Sequence, residues 1–217
     1  PDSDFIRHYE KNNQAITFCG VSAHHQNGIA EINIKHLTLL SRTMLLNAKK
    51  NWPEAITTML WPFALKVAAY IYNKYKVWEN GKMALEMWTG IKSDIDLKNE
   101  HTFGCPEYVL DAQLQLSAGS IPKWEPRSRM GIYLGFSPFH ASSVHLILNP
   151  STGYVSPQFH VVFDDHFTTV PYMRKGSIPP NWEALVRSST ESIDDPTFQA
   201  PKVDTFVPKL PPSENSL

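Results

Sequence analysis

The stretch HHQNGIAEINIKHLTLLSRTMLLNAKK, residues 24–50, carries the apolar spacing of a long helix. Apolar side chains recur there at intervals of three, four and seven residues, which places them on one face of a helix with 3.6 residues per turn. The residues on this face are Ala30, Ile34, Leu37, Met44 and Ala48. A long helix therefore dominates the first part of the predicted fold.

The sequence on either side of this helix predicts further short elements. Before it, QAITFCGV at residues 14–21 is rich in aromatic and β-branched residues and predicts a strand. After it, Pro53 suits the first turn of a helix over residues 53–60, and Pro62 suits the first turn of a helix in PFALKVAAYIYNKY. A short helix around residues 84–88 is predicted to end near a glycine.

The second half of the chain changes to short strand-like segments. These are FGCPEYVL, MGIYLGFS, VHLIL, GYVS and FHVVFDD, and turn-forming residues separate them. In the last segment Phe159, Val161 and Phe163 alternate with His160 and Val162, as in a half-buried strand. Several short strands within about 65 residues predict a small antiparallel barrel.

The C-terminal region is rich in proline. Residues 171–217 hold eight of the 17 prolines and few large aliphatic residues, which predicts a linker or disordered tail.

The charges of the whole chain nearly cancel, since its 217 residues include 20 Lys and Arg and 21 Asp and Glu. This near-neutral balance excludes a polybasic nucleic-acid binder, so any contact with nucleic acid must use a local face. No apolar run reaches the length of a membrane helix.

One face of the long helix carries a carboxylate followed by cations. At 3.6 residues per turn, Glu31, Lys35, Thr38, Arg42 and Lys49 share one stripe. Such a helix can lie along a phosphate backbone, with Glu31 free to hold a divalent metal. The simpler interpretation is a solvated face on which Glu31 and Lys35 form an i,i+4 surface pair. Spacing alone leaves both interpretations open.

A second group of basic residues precedes a predicted strand. Lys123, Arg127 and Arg129 lie near Trp124, a combination that can contact a DNA backbone and stack on a base. The alternative is an exposed turn in which Trp124 covers the barrel.

Four histidines in this half of the chain are interpreted as surface or edge residues without a role, namely His140, His145, His160 and His166.

Four segments, in order along the chain, resemble motifs of copia-type (Pseudoviridae) retrotransposon integrases. The first, HQNGIAE at residues 25–31, resembles the family's P-Q-x-N-G-V-A-E-R. The others are FGCPEYV at residues 103–109, RSRMGIYLGFSP at residues 127–138 and QFHVVFDD at residues 158–165. Several motifs in the family's order are far more specific than any one of them alone.

The resemblance implies an α+β fold in three parts. Residues 1–92 would be the C-terminal helical part of an RNase H-like (retroviral integrase) catalytic core. Residues 101–168 would be a small SH3-like antiparallel β-barrel, and residues 171–217 a disordered Pro-rich tail leading toward a reverse transcriptase.

The resemblance also implies DNA integration by metal-dependent phosphoryl transfer. In this family two aspartates and one glutamate hold two divalent metals, Mg²⁺ or Mn²⁺, and Glu31 matches the glutamate. The matching aspartates would precede Pro1, and one carboxylate cannot assemble a two-metal site. The chain is therefore expected to be inactive alone, and whether it is an enzyme is left open. The implied DNA contacts are Gln26, Asn27, Lys35, Arg42, Lys49, Lys123, Arg127 and Arg129.

The implied partners are the DNA ends of the element and the target DNA. The resemblance is compatible with a homo-oligomer, and it implies neither a membrane nor a small-molecule substrate as a partner. The implied location is the nucleus or a cytoplasmic virus-like particle.

The chain departs from the family after Glu31, where Ile32 and Asn33 follow instead of the usual basic residue. The second hypothesis is a decayed or co-opted remnant without enzymatic activity, whose SH3-like domain binds a protein partner or DNA.

We predict that residues 1–90 in isolation are poorly soluble or self-associate. An RNase H-like sheet without most of its strands leaves the apolar faces of its helices exposed to water. Size-exclusion chromatography followed by a thermal melt checks this expectation. A monomer with a sharp, cooperative melt would contradict it.

Overall fold

The computed structural model is an α+β fold whose helices pack against an antiparallel sheet. It describes residues 3–14, 20, 27–92, 97–115 and 120–186. The helices are α1 (Ser3–Lys11), α2 (Gly28–Asn51), α3 (Trp61–Tyr75), α4 (Ala84–Thr89) and α5 (Ala112–Gln115). The strands are β1 (Pro106–Leu110), β2 (Ser128–Phe136), β3 (His145–Leu148), β4 (Val155–Gln158) and β5 (Val161–Phe163).

Three predicted helices are confirmed. The long helix is α2, which begins at Gly28. Pro62 lies in the first turn of α3, where its missing N–H has no intrahelical acceptor to lose. The short helix is α4, and it ends at Gly90, whose φ of 71° is the left-handed conformation that closes many helices. The strand predicted for residues 14–21 falls mostly outside the described residues.

The helix predicted from Pro53 to residue 60 is wrong. The chain makes a turn after α2, and only the 3-10 segment Thr58–Leu60 is helical. The N–H groups of Ala55 and Ile56 both donate to the carbonyl of Trp52, which reverses the chain tightly. This turn buries both side chains completely, so burial in the core outweighs the local helical pattern.

The five strands form one open antiparallel sheet in the order β4-β3-β2-β1-β5. The antiparallel sheet is as predicted, but the described strands do not close into a barrel because β4 and β5 remain at opposite edges. The alternation predicted around Phe163 holds only within β5, where Val162 is the exposed residue. Phe159, predicted to share a strand face with Val161 and Phe163, is exposed in the bend before that strand.

Two glycines let the helices approach the sheet closely. Gly104 has a φ of 76°, and a side-chain carbon at this position would lie 2.7 Å from Cβ of Ala48 in α2. Gly135 has a φ of 122° beside an irregular register between β2 and β3, and an added carbon would lie 2.6 Å from Val67 in α3. Both positions therefore require glycine for conformation as well as for space.

One continuous apolar core connects the helices to the sheet. It includes residues from α2 and α3, from the loop before β1, from three strands and from the segment after β5. The dividing line predicted between residues 1–92 and 101–168 therefore crosses a shared core, and the domain boundaries themselves stay a prediction. The larger members are Leu45, Trp52, Ile56, Leu60, Phe63, Phe103, Ile132, Tyr133, Leu134, Leu148, Phe167 and Trp182.

Part of the predicted Pro-rich tail belongs to this core. Ile178 and Trp182 are buried, and Nε1 of Trp182 donates a hydrogen bond of 3.1 Å to the carbonyl oxygen of Glu54. The segment from residue 171 to 186 is therefore part of the fold and not a free linker. Residues 187–217 lie outside the described part of the chain.

We expect Trp182→Ala to lower the free energy of unfolding by about 3–5 kcal/mol, as is usual for removing a buried aromatic side chain. The matched control is Trp124→Ala, because Trp124 is 90% exposed and its loss should cost less than about 0.5 kcal/mol. Urea denaturation of the full chain measures both values. Equal, small effects would show that the segment around Trp182 does not contribute to the fold.

Candidate nucleic-acid interface

The charged face predicted on the long helix is exposed along α2. Glu31 lies in the first turn, Lys49 in the last, and Lys35 and Arg42 between them, all four on the surface. At 1.5 Å per residue, the line from Glu31 to Lys49 is about 27 Å long. The three cations themselves, from Lys35 to Lys49, span about 21 Å, a length that matches several successive phosphates of a nucleic-acid strand.

The opposite face of α2 fixes the helix to the rest of the protein. Leu45 and Ala48 are buried in the core near its C-terminal end. Nearer the N-terminal end, the hydroxyl of Tyr72 in α3 donates a hydrogen bond of 2.7 Å to Oδ1 of Asn33. The exposed charges are therefore carried on a helix held at two points, and their spacing is set by the helix itself.

Glu31 does not belong to a group of metal ligands in the described part of the chain. Among the residues that the structure describes, no three His, Cys, Asp or Glu side chains lie close enough together to hold a metal ion. Asn27 directly precedes α2, whereas Gln26 lies outside the described residues. One carboxylate does not fit the two-metal centre that the family resemblance implies, because that centre needs two aspartates beside the glutamate.

The second basic group is divided between the surface and the interior. Lys123, Trp124 and Arg127 are exposed in the loop before β2, and Nζ of Lys123 lies 5.5 Å from the centre of the Trp124 ring. Arg129, within β2, is half-buried, and its charge acts on the carboxyl group of Glu107. The surface part of this group is thus an exposed aromatic ring with Lys123 beside it, and Arg127 is exposed further along the same loop.

Glu107 is a fully buried acid in β1 that the sequence did not single out. Burial raises its pKa well above the ordinary value, and the positive charge of Arg129 only partly opposes this rise. Glu107 and Arg129 lie on neighbouring antiparallel strands, diagonal to each other. Arg129 therefore has a role inside the sheet that sets it apart from the exposed cations.

A cluster of buried rings lies on the sheet, where sequence analysis predicted surface histidines. His145 is buried against Tyr133, Phe136, Phe163 and His101. The interpretation of His145 as a surface or edge residue is wrong, because β3 is buried along its whole length. The sequence does contain a signal of this burial, because His145 begins the apolar run HLIL.

The two aspartates of the QFHVVFDD segment fix loops around this cluster. Asp165 accepts hydrogen bonds from Nδ1 of His101 at 3.0 Å and from the backbone N–H of Thr102 at 2.7 Å. Burial opposes ionisation of Asp164, but hydrogen bonds from Thr169 and Thr168 outweigh it and lower the pKa of Asp164 to about 2. Both carboxylates therefore have structural partners and are not available as a metal pair.

Comparison with known proteins adds no relative. No protein-family model, curated protein or solved structure matches this chain. Within the described residues, every helix is too short or too polar to cross a membrane. The candidate interface therefore depends on its own geometry and on the motif resemblance.

We predict that His145 makes the fold sensitive to mild acid. Burial, and secondly the charge of His101, lower the pKa of His145 to about 4 from 6.5. The unfolded chain takes up this proton at a higher pH than the folded chain does. As the pH is lowered from 6.5 to 4, the free energy of unfolding should therefore fall by up to about 1.4 kcal/mol per pH unit.

The variant His145→Phe keeps a ring in the cluster and removes this titration. Its stability should change less steeply with pH over that interval than that of the parent, as measured by urea denaturation. His160→Phe, at an exposed histidine, is the matched control and should follow the parent. Parallel losses of stability in the parent and in His145→Phe would refute the assignment.

Proposed function

We propose that this chain is the C-terminal part of a copia-type retrotransposon integrase. In the intact protein it would take part in DNA integration by metal-dependent phosphoryl transfer. The support is the resemblance of four ordered segments to motifs of that family, together with an α+β fold that has its helices first and its antiparallel sheet second. On this proposal α2 and α3 derive from an RNase H-like core, and β1 to β5 form an SH3-like domain.

The observation that carries the proposal is the exposed face of α2. Glu31, which the resemblance equates with the third metal-binding carboxylate, lies in its first turn. Lys35 and Arg42 follow on the same exposed face, where they can neutralise phosphates next to the reacting group. A carboxylate followed by cations suits a helix that holds a divalent metal against a phosphodiester backbone.

Metal chemistry would require the intact integrase. Two aspartates from outside this sequence would have to join Glu31 before Mg²⁺ or Mn²⁺ could be held for phosphoryl transfer. We therefore propose DNA binding, without strand transfer, as the activity of this chain alone. The proposed partners are the ends of the element and target DNA, in the nucleus or in a cytoplasmic virus-like particle, with a homo-oligomer as a further possibility.

A second candidate function is a non-enzymatic module that binds through its sheet domain. The observation in its favour is the exposed ring of Trp124 with Lys123 beside it, because an exposed tryptophan offers a stacking surface for a base or a binding surface for a protein. This function requires neither Glu31 nor the cations of α2.

We expect the full chain to bind duplex DNA, and Lys35→Ala combined with Arg42→Ala to weaken that binding. Each lost phosphate contact should lower the slope of log affinity against log salt concentration by about one unit. Fluorescence anisotropy of a labelled duplex at several salt concentrations measures both the affinity and the slope. A parent that does not bind, or a double variant that binds like the parent, would exclude the helix face.

Two control variants make this experiment specific. Arg174→Ala combined with Lys175→Ala removes one arginine and one lysine from an exposed segment outside α2 and should leave the slope unchanged. Lys123→Ala combined with Arg127→Ala tests the loop before β2. A large loss in this last variant alone would favour the second candidate function.

A further inference from the structure

The exposed side of α2 carries a row of residues with the spacing of a coiled-coil seam. The row follows intervals of three and four residues over two and a half heptads, which is the a and d pattern that one helix uses to pack along another. Its members are Ile29, Ile32, His36, Leu39, Thr43 and Leu46, all of them exposed.

The apolar members of this seam are about half or more exposed to solvent. Ile29 is 80% exposed, Ile32 55%, Leu39 49% and Leu46 53%. They lie on one side of a helix whose other side packs on α3 and the core. These four aliphatic side chains lie in one row, which His36 and Thr43 interrupt, and exposed apolar side chains grouped in this way are typical of sites of protein contact.

One flank of the seam is uniformly basic. With Ile29 at position a of the heptad, Lys35, Arg42 and Lys49 occupy the three successive g positions. The other flank, at the e positions, carries the uncharged residues Asn33, Leu40 and Asn47, of which Asn33 already accepts a hydrogen bond from Tyr72 of α3. Residues at e and g positions contact the flanks of a partner helix and decide which partner is accepted.

We propose that this seam is a docking surface for one amphipathic helix of a protein partner, whose own apolar row is bordered by Asp and Glu. Acidic side chains on the partner would lie opposite the three cations of α2, while its apolar row covers Ile32, Leu39 and their neighbours. The partner is thus defined by two complementary properties, an apolar row at heptad spacing and acidic flanks.

A second copy of this chain does not meet the charge requirement. In an antiparallel pair of α2 helices, the g positions would lie opposite each other, so that Lys35, Arg42 and Lys49 would face cations. In a parallel pair, they would face the uncharged e positions. DNA does not meet the apolar requirement, because a phosphate backbone cannot bury isoleucine and leucine side chains.

The inference goes beyond the proposed DNA binding and does not depend on it. The apolar seam and the cations are adjacent parts of one helix, so a partner helix and a DNA strand would use the same cations and exclude each other. If both proposals hold, an acidic helix would compete with DNA for this surface.

The test uses synthetic helical peptides of three heptads with the full chain. Both peptides have Leu at a and d; one has Glu at e and g, and the other has Lys there. We expect the Glu peptide to bind at least about tenfold more tightly than the Lys peptide in fluorescence anisotropy, with an affinity that falls as salt rises.

Variants of the full chain separate the seam from the rest of the helix surface. Ile32→Asn combined with Leu39→Asn should abolish peptide binding. Ile34→Asn is the matched control, because Ile34 is 63% exposed but lies outside the seam at position f, and it should bind like the parent. Urea denaturation confirms that these exposed substitutions leave the fold intact.

Three outcomes of the peptide experiment would overturn the proposal. These are equal affinities for the Glu and Lys peptides, no binding of the Glu peptide, or the same loss of binding in Ile34→Asn as in the seam variant. A parent dimer in sedimentation that the seam variant converts to a monomer would also overturn it, in favour of a second copy. DNA binding that survives in the seam variant shows that failure of the docking surface is separate from failure of the proposed function.

Discussion

The packing of α2 against α3, and of α3 against β2, is the contact on which the rest of this structure depends. The two helices bring Ala48 and Val67 close to the backbone at Gly104 and Gly135, where a side-chain carbon would have no room. The same core extends to Trp182 near the end of the described chain. Since interiors are close-packed, these short distances fix the helices relative to the strands and leave little freedom to shift.

This packing divides α2 into two functional halves. The C-terminal half is a core element, with Leu45 and Ala48 buried. The N-terminal half is more exposed, and Tyr72 of α3 donates a hydrogen bond to Asn33 there. A helix propagates cooperatively from a stable turn, so the buried half supports the exposed half and presents Glu31 on a rigid element. An exposed site on a rigid helix is well suited to contact a long, regular partner.

The sequence predicts the elements of this fold better than it predicts their assembly. The helices α2, α3 and α4 follow from local spacing, from Pro62 and from Gly90, which are features of a few neighbouring residues. The turn at residues 53–57, the burial of His145 and the docking of Trp182 depend on residues far away in the chain, so local patterns cannot reveal them. The open edges of the sheet are likewise a property of strand pairing, which spacing within each strand does not determine.

For the candidate site, the sequence predicts which charges are exposed on α2 but not which motif residues serve the fold. Gly104, Asp164 and Asp165 belong to the motif segments, and each has a structural task in a close approach or a loop. Glu31 has no such task among the described contacts, and neither do Lys35 and Arg42, which lie on the surface. Within the described residues, the aliphatic side chains of the apolar seam of α2 are likewise exposed. These exposed residues, on the open side of one helix, are the ones that the proposed DNA and helix partners would contact.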